Sequence, residues 1–208
     1  MIKEKYTIRP ISRAMAMRIV VEKHYLHRKC PCSVAFGLFE KEKLLGVIIY
    51  GTPSSAPLRS GICGKDECMN VIELTRLWVD DAVGKNGESF LIGNTIPFVN
   101  KEIIVSFAEV EMGHLGVVYQ ATNWIYTGLS AKRTNWTIEG VKGHAQTIGD
   151  KYKGQDIRAI FGDKFSLVDR PRKHRYIYFN CSKTRKKQLF KKLKYKIEAY
   201  PKQKTHEA

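Results

Sequence analysis

No stretch of this 208-residue chain comes near the roughly 18 consecutive apolar residues that a membrane-spanning helix needs. The first ten residues, Met1 to Pro10, alternate and carry charge, so they do not read as a secretory leader. Acidic residues are scarce: 20 Asp+Glu face 36 Lys+Arg, a formal net charge of +16. Cysteine is sparse and odd in number (Cys30, Cys32, Cys63, Cys68 and Cys181), which argues against a disulfide framework in a chain without a leader. Cys30-Pro31-Cys32 with Cys63-x4-Cys68 is poorly spaced for a tetrahedral zinc, because one pair is C-x-C, and free thiols are the plainer reading. H-E-x-x-H, the P-loop, the Rossmann glycine pattern and internal repeats are all missing. The 43% hydrophobic and 11% aromatic content excludes a disordered chain. What is left is a basic, intracellular globular protein long enough to build a real core.

The charge is concentrated. From Arg170 to Lys204 fourteen basic residues face one acid, Glu198, so this segment supplies +13 of the +16. Such a block repels itself unless a polyanion neutralises it, and nucleic acid does so with release of counterions. Interleaved aromatics, among them Tyr176, Tyr178, Phe190 and Tyr195, can stack on bases or anchor the segment to the core. A solvated tail that merely aids solubility is the plain alternative.

The pattern along the chain predicts a strand over Tyr6–Ile11, then a helix from Arg13 to about His24 with Ser12 as its cap. A hairpin follows over Ser33–Glu40 and Leu44–Gly51. Residues 52–70 read as a loop and Val71–Asp80 as a strand. Ser89–Asn100 reads as a helix bent or ended by Pro97. Ile103–Ala108 is a continuous apolar run typical of a buried central strand. His114–Gly128 reads as a helix, Trp136–Val141 and His174–Phe179 as strands. Ser182–Tyr195 reads as a basic amphipathic helix with Leu189, Phe190 and Leu193 inward. The fold class is α/β: a mixed central sheet flanked by helices over residues 1–181, with a basic C-terminal helix and tail over 182–208.

This order resembles the acyltransferase fold of the GCN5-related N-acetyltransferases. Three polar runs, His24-Tyr25-Leu26-His27-Arg28, Glu73 to Asp80 (ELTRLWVD) and Gly113 to Trp124 (GHLGVVYQATNW), resemble a divergent branch, the phage Mom proteins. Asn86-Gly87-Glu88-Ser89 and Arg170 to Tyr176 (RPRKHRY) extend the similarity to roughly residues 20–180. The resemblance implies transfer of a carbamoylmethyl (acetamido) group to N6 of adenine in double-stranded DNA, shielding phage DNA from restriction in the bacterial host cytoplasm. It implies acetyl-coenzyme A or another acyl or carbamoylmethyl donor. A homodimer stays open as an oligomeric state. A conventional acetyltransferase acting on a protein or small amine, and a non-catalytic DNA-binding module, are the competing readings.

Candidate site residues follow. His24 and Tyr25 end the first helix; a histidine there can act as base or ligand, or simply cap the helix. Glu73 and Arg76 interrupt an apolar strand, where unpaired charge is expensive. Three apart on a regular strand they point to opposite faces. Arg76 is read as facing ligand or phosphate, Glu73 as a support or base. Gly87 and Ser89 stand where acetyltransferases cradle a pyrophosphate, although only the middle glycine of that motif is kept and Glu88 adds a negative charge. Glu109 follows the central strand, where open α/β sheets place ligands, and is a candidate base. Tyr119, Asn123 and Tyr126 would share one helical face, with Tyr119 the first choice to protonate a leaving group and Tyr126 the second. Arg172, Lys173, His174 and Arg175 are read as gripping phosphates near the site, with Lys186 and Lys187 extending the grip. Duplex adenine must be flipped out to react, and Trp78, Trp124 and Tyr25 are candidates to stack on it. A carbamoylmethyl group joins N6 to a CH2 carbon, whereas aminolysis of acetyl-coenzyme A gives an amide. Iron held by His24, Tyr25 and Glu109 is therefore a further candidate.

Overall fold

Three apolar runs, AFGLF, LLGVII and IIVSFA, form the middle of the molecule. They lie almost wholly buried, as central strands do. In the computed structural model, which describes residues 2–143 and 145–202, these runs belong to a seven-stranded sheet. Helix α1 (Ile2–Lys5) leads into β1 (Thr7–Pro10), α2 (Arg13–Lys23), β2 (Val34–Glu40), β3 (Lys43–Gly51), α3 (Ala56–Cys63) and β4 (Val71–Val79). Then come α4 (Gly87–Thr95), β5 (Ile103–Glu109), α5 (Val117–Ala121), β6 (Ile125–Leu129), β7 (Arg133–Ile138), α6 (Ala145–Lys151) and α7 (Ile157–Phe161). The chain continues with β8 (Phe165–Arg170), β9 (Lys173–Phe179) and α8 (Lys183–Lys192). The sheet order is β1-β2-β3-β4-β5-β9-β6, and β4–β5 is its parallel pair; β7 and β8 form a separate two-stranded ribbon. The expected mixed α/β architecture is present. No helix among the described residues is long and apolar enough to cross a membrane.

Ser12 caps α2 as its sequence position suggests, its side chain accepting from Met15 N at 3.2 Å. One face of the sheet carries α4 and α5 over a core that includes Tyr50, Leu74, Ile104 and Trp124. On the other face α2 packs on Ala35, Val47 and Ile49, and α3 and α8 pack on Val71, Ile103 and Ile177.

Several expected elements differ. Residues 52–70 hold α3 and a 3-10 turn rather than loop alone, because Ser55 caps a helix whose Ile62 and Cys63 are buried. The expected helix 114–128 stops at Ala121: Asn123 takes a left-handed φ of 60°, and the chain continues as β6. The segment 142–172 carries α6, α7 and β8, none of which stood out in the sequence. Helix α8 ends at Lys192 rather than Tyr195. Leu189 is buried as expected, whereas Phe190 is 38% exposed and meets Phe179 edge-on. The tail beyond Lys202, residues 203–208, lies outside the described residues.

Candidate active site

β4 pairs with β5 only over Val71–Glu73 against Ile103–Val105, and beyond that the two strands part. The cause is local. In the β3–β4 ladder Ile49 faces Arg76 and Tyr50 faces Leu74, so Thr75 is an extra, bulged residue. Its hydroxyl lies 3.1 Å from the Pro31 carbonyl and 3.2 Å from the Ile49 carbonyl. The bulge reverses the alternation after Leu74. Trp78 joins Ile49 on one face while Leu77 and Val79 join the opposite core. Glu73 and Arg76, expected on opposite faces, are therefore brought to one.

A cleft of about 770 Å³ opens where the strands part, within the size of ordinary ligand sites. Its walls include His24, Tyr25, Glu73, Arg76, Glu109 and Tyr119. All six residues singled out as catalytic candidates thus line one cavity. Gly116 bounds it with a φ of 71°, and a Cβ there would come within 2.4 Å of the Tyr176 ring, so this position accepts only glycine.

Tyr119 sits on α5 between the rings of Trp124 and Tyr176, with centroids at 5.1 Å from each. Its hydroxyl accepts from Ser106 Oγ at 2.8 Å, and the same Ser106 can instead donate to the Leu74 carbonyl at 3.0 Å. Burial pushes the Tyr119 phenol up to about 12, so it holds its proton at neutral pH. The Glu73 carboxylate accepts no hydrogen bond among the described residues, although its backbone pairs in the sheet. Burial raises its carboxyl, with Lys173 and then Arg76 pulling the other way. Glu109 is instead taken up by an ion pair with Lys173, its register partner on β9.

The HYLHR segment is a tight reversal: His27 takes a φ of 45° and its amide bonds to the His24 carbonyl at 2.8 Å. This turn leaves Tyr25 41% exposed at the cleft, stacked on His24 at 4.3 Å and edge-on to His114 at 5.5 Å. His24 Nδ1 accepts from the Leu26 amide at 3.1 Å, so the neutral ring carries its proton on Nε2. Burial first, then Arg76, His27 and His114, lowers His24 to about 4. It therefore presents a donor to the cleft, not a base. Arg76 donates to the Thr75 carbonyl at 2.6 Å, while its Nε is buried with no partner among the described residues.

Other expectations are corrected. Asn123 and Tyr126 do not share a helical face with Tyr119, because α5 has already ended. Asn123 is exposed in the turn, and Tyr126 lies on β6 with its hydroxyl 2.7 Å from His174 Nδ1. Trp124 is fully buried and cannot stack on a base. The proposed iron ligands form no metal group: His24 spends Nδ1 on a backbone amide and Glu109 is held by Lys173. No cluster of three His, Cys, Asp or Glu suited to a metal occurs among the described residues. The five cysteines are free thiols. Arg172 donates to the Ser130 and Leu129 carbonyls, and Arg175 is buried against Thr127 with its guanidinium 3.4 Å from the Tyr195 ring. The 172–175 run is thus committed to internal partners rather than left free for phosphates. Lys186 lies over the Tyr178 and Phe190 rings, and Lys187 is exposed.

The cleft fits an extended acyl-bearing arm, since the β5-facing edge of β4 beyond Glu73 has no strand partner among the described residues. The turn before α4 fits a pyrophosphate poorly. Gly87 is close-packed, its absent Cβ falling 2.8 Å from Val83 and 3.0 Å from Val79. Ser89 turns its hydroxyl back to the Asn86 carbonyl at 3.1 Å, and Glu88 puts a carboxylate on the cleft wall.

With this geometry in view, the model of the Mom protein family matches residues 5–202. The chain belongs to the Mom protein family. The methylcarbamoylase mom of Escherichia phage Mu is 28% identical over 204 residues, covering 94% of this chain and 83% of that protein. Among solved structures, ribosomal-protein-S5-alanine acetyltransferase from Vibrio fischeri is 11% identical with a TM-score of 0.48, covering 85% of this chain and 93% of its own. An N-acetyltransferase from Staphylococcus aureus is 14% identical with a TM-score of 0.46, covering 84% and 97%. The sequence signals that carried the family, HYLHR, ELTRLWVD and GHLGVVYQATNW, are the segments that build the cleft. Ser106, which sequence reasoning missed, had one signal: it is the lone hydroxyl in an apolar central run.

Proposed function

We propose that this Mom-family chain is a DNA-modifying transferase that adds a carbamoylmethyl group to N6 of adenine, protecting phage DNA from host restriction. The observation that carries the reading is the cleft at the β4–β5 split, which gathers an unpaired carboxylate, a protonated phenol and an exposed aromatic ring in the family's own segments. N6 of adenine is a weak nucleophile because its lone pair is delocalised into the ring. Glu73 is the carboxylate free to take a proton from it as the N6–CH2 bond forms, and Tyr119 holds a proton for the group that leaves. When Ser106 donates to Tyr119, the phenol's own proton is directed elsewhere than to Ser106. Tyr25, exposed between two histidine rings, is placed to stack on a flipped base. The donor supplies the activated two-carbon unit. For the step to balance, the donor must carry its leaving group on the CH2 carbon of a ready-made carbamoylmethyl unit, so that the bond from CH2 to that group breaks as N6–CH2 forms. The poor pyrophosphate turn favours a donor whose phosphates, if any, are held elsewhere.

The test is mass spectrometry of nucleosides from the DNA of cells expressing the chain. Wild type should yield a deoxyadenosine heavier by the carbamoylmethyl group, and Glu73→Gln should reduce it by roughly 10²–10⁴-fold, the usual worth of a positioned base. Unmodified DNA from cells with abundant folded wild-type protein would reject the reading.

A further inference from the structure

The cleft is not the only concave surface that reaches Glu73. A groove of about 470 Å³ shares Glu73, Phe107 and Lys173 with it and extends to Arg133, Arg170 and Arg175. Those shared residues lie on the sheet face that carries α3 and α8, whereas Tyr119 belongs to the core on the other side.

Two of the groove's cations are already used: Lys173 pairs with Glu109, and Arg175 bonds to Thr127. Arg133 and Arg170 are not. They stand directly opposite each other in the β7–β8 register, and neither guanidinium has a hydrogen bond or ion pair among the described residues. Like charges facing across an antiparallel pair destabilise it. Such a pair, left without an acid at the edge of a cationic groove, is suited to an external anion.

The ribbon around the pair is two-faced. Register puts Asn135 with Val168 and Thr137 with Ser166 on the same face as the two arginines. The other face carries Trp136 stacked on Phe165 at 5.9 Å, and α6 and α7 lie against the ribbon, with Ile148 of α6 buried and Arg158 of α7 over Phe165. The Trp136–Phe165–Ile138 part of that face is covered, although Thr134, Leu167 and Asp169 on it are exposed, while the face of arginines, hydroxyls and amide, with Val168, is largely exposed. A six-residue strand extends for roughly 20 Å, several times the spacing of successive phosphates along a DNA strand. That length suits a polymer better than a single phosphate.

We propose that this groove and the open face of the β7–β8 ribbon hold the phosphate backbone of the DNA acceptor, so that acceptor and donor reach Glu73 through two different openings. The proposal rests on the DNA-modification reading for its choice of polyanion. Phosphates on a nucleotide-bearing donor are the other source of the same chemistry, and the experiment separates the two.

The full chain and R133A/R170A are compared by fluorescence anisotropy with a labelled DNA duplex across a salt series, by calorimetry with coenzyme A, and by nucleoside mass spectrometry in cells. Lys142→Ala with Lys153→Ala, two exposed cations outside the groove, controls for the loss of two charges. The double variant should lower the salt slope by about 1–2 units, since each duplex phosphate contact contributes roughly 0.9. Its melting temperature without DNA should be unchanged or higher, because the repulsion is gone. Coenzyme A binding should match wild type, and adenine modification should fall at least tenfold. A slope equal to that of wild type, or a loss confined to coenzyme A binding, overturns the proposal. If wild-type DNA is unmodified while the slope still falls, the phosphate groove stands and the modification reading fails; normal modification with an unchanged slope gives the reverse.

Discussion

Removing the Tyr119 hydroxyl leaves Ser106 with a partner already in place, the Leu74 carbonyl at 3.0 Å. Tyr119→Phe should therefore melt within a degree or two of wild type while adenine modification drops by about 10²–10⁴-fold, the range for a positioned acid. Tyr126→Phe should behave in the opposite way. Its hydroxyl serves His174 Nδ1 at the β6–β9 pair and lies outside the cleft, so its loss should cost about 0.5–1.5 kcal/mol of stability and little activity. Equal effects in both variants, measured by thermal melts and nucleoside mass spectrometry, would deny Tyr119 a separate role. For Glu73 the sign of the pH effect is fixed by its direction of shift. Burial raises its carboxyl, so the base form is lost as pH falls through a value above the ordinary carboxylate range. Modification measured in vitro should therefore decline on the acid side, and Glu73→Gln should flatten that limb at a much lower rate. His24 should not shape the neutral range, since its ring stays neutral down to about pH 4.

At the scale of elements, the alternating and continuous apolar runs made β1 to β5 and β9 legible, because period and burial write directly into sequence. The β4 bulge was not legible. Nothing in VIELTRLWV marks Thr75 as extra until it is set against β3, and that one residue moves Arg76 to the face of Glu73. The helix expected after His114 is shorter in the structure for a similar reason: QATNW is compatible with a helix, and the stop lies in the left-handed turn at Asn123 and in the pairing of β6 with β9. Helix α8 was legible as basic and amphipathic, but its anchor was not. Glu67, with its side chain only 5% exposed, receives Arg185 at 2.6 Å and Lys192 at 2.5 Å from α8, and Arg185 also reaches Glu102 at 2.9 Å. Lys192 first, with Arg185 and Asn70, holds the Glu67 carboxyl down to about 2 against the cost of its burial. A depressed carboxylate stabilises the fold above its unfolded value and loses that contribution as pH falls toward about 2. Glu67→Gln should thus destabilise the chain by about 1–3 kcal/mol at pH 7, with a difference that shrinks in acid. Chemical denaturation at several pH values checks this, and a gap independent of pH would assign the loss to packing alone.

Over the whole molecule, the dense C-terminal charge that pointed to a polyanion is divided by the fold into two populations. Arg172, Arg175, Arg185 and Lys192 have partners within the chain and act as braces. Lys183, Lys187 and Lys191 are exposed on α8. A count of charges could not separate these groups, since the acids that claim the α8 braces, Glu67 and Glu102, come from about a hundred residues earlier. Lys187 and Lys191 are one turn apart, so they share a stripe of α8 that is free to meet DNA. Replacing both with Ala removes charge without breaking a contact, and melting should be unaffected. If the stripe touches the backbone, the salt dependence of duplex binding should fall by about 1–2 units, because each phosphate contact contributes roughly 0.9. The fall should be similar on unrelated duplex sequences, since phosphate contacts position DNA without reading it. Removing both lysines and changing nothing would confine DNA to the Arg133–Arg170 side of the molecule. A fall on one sequence alone would mean that α8 meets bases rather than backbone.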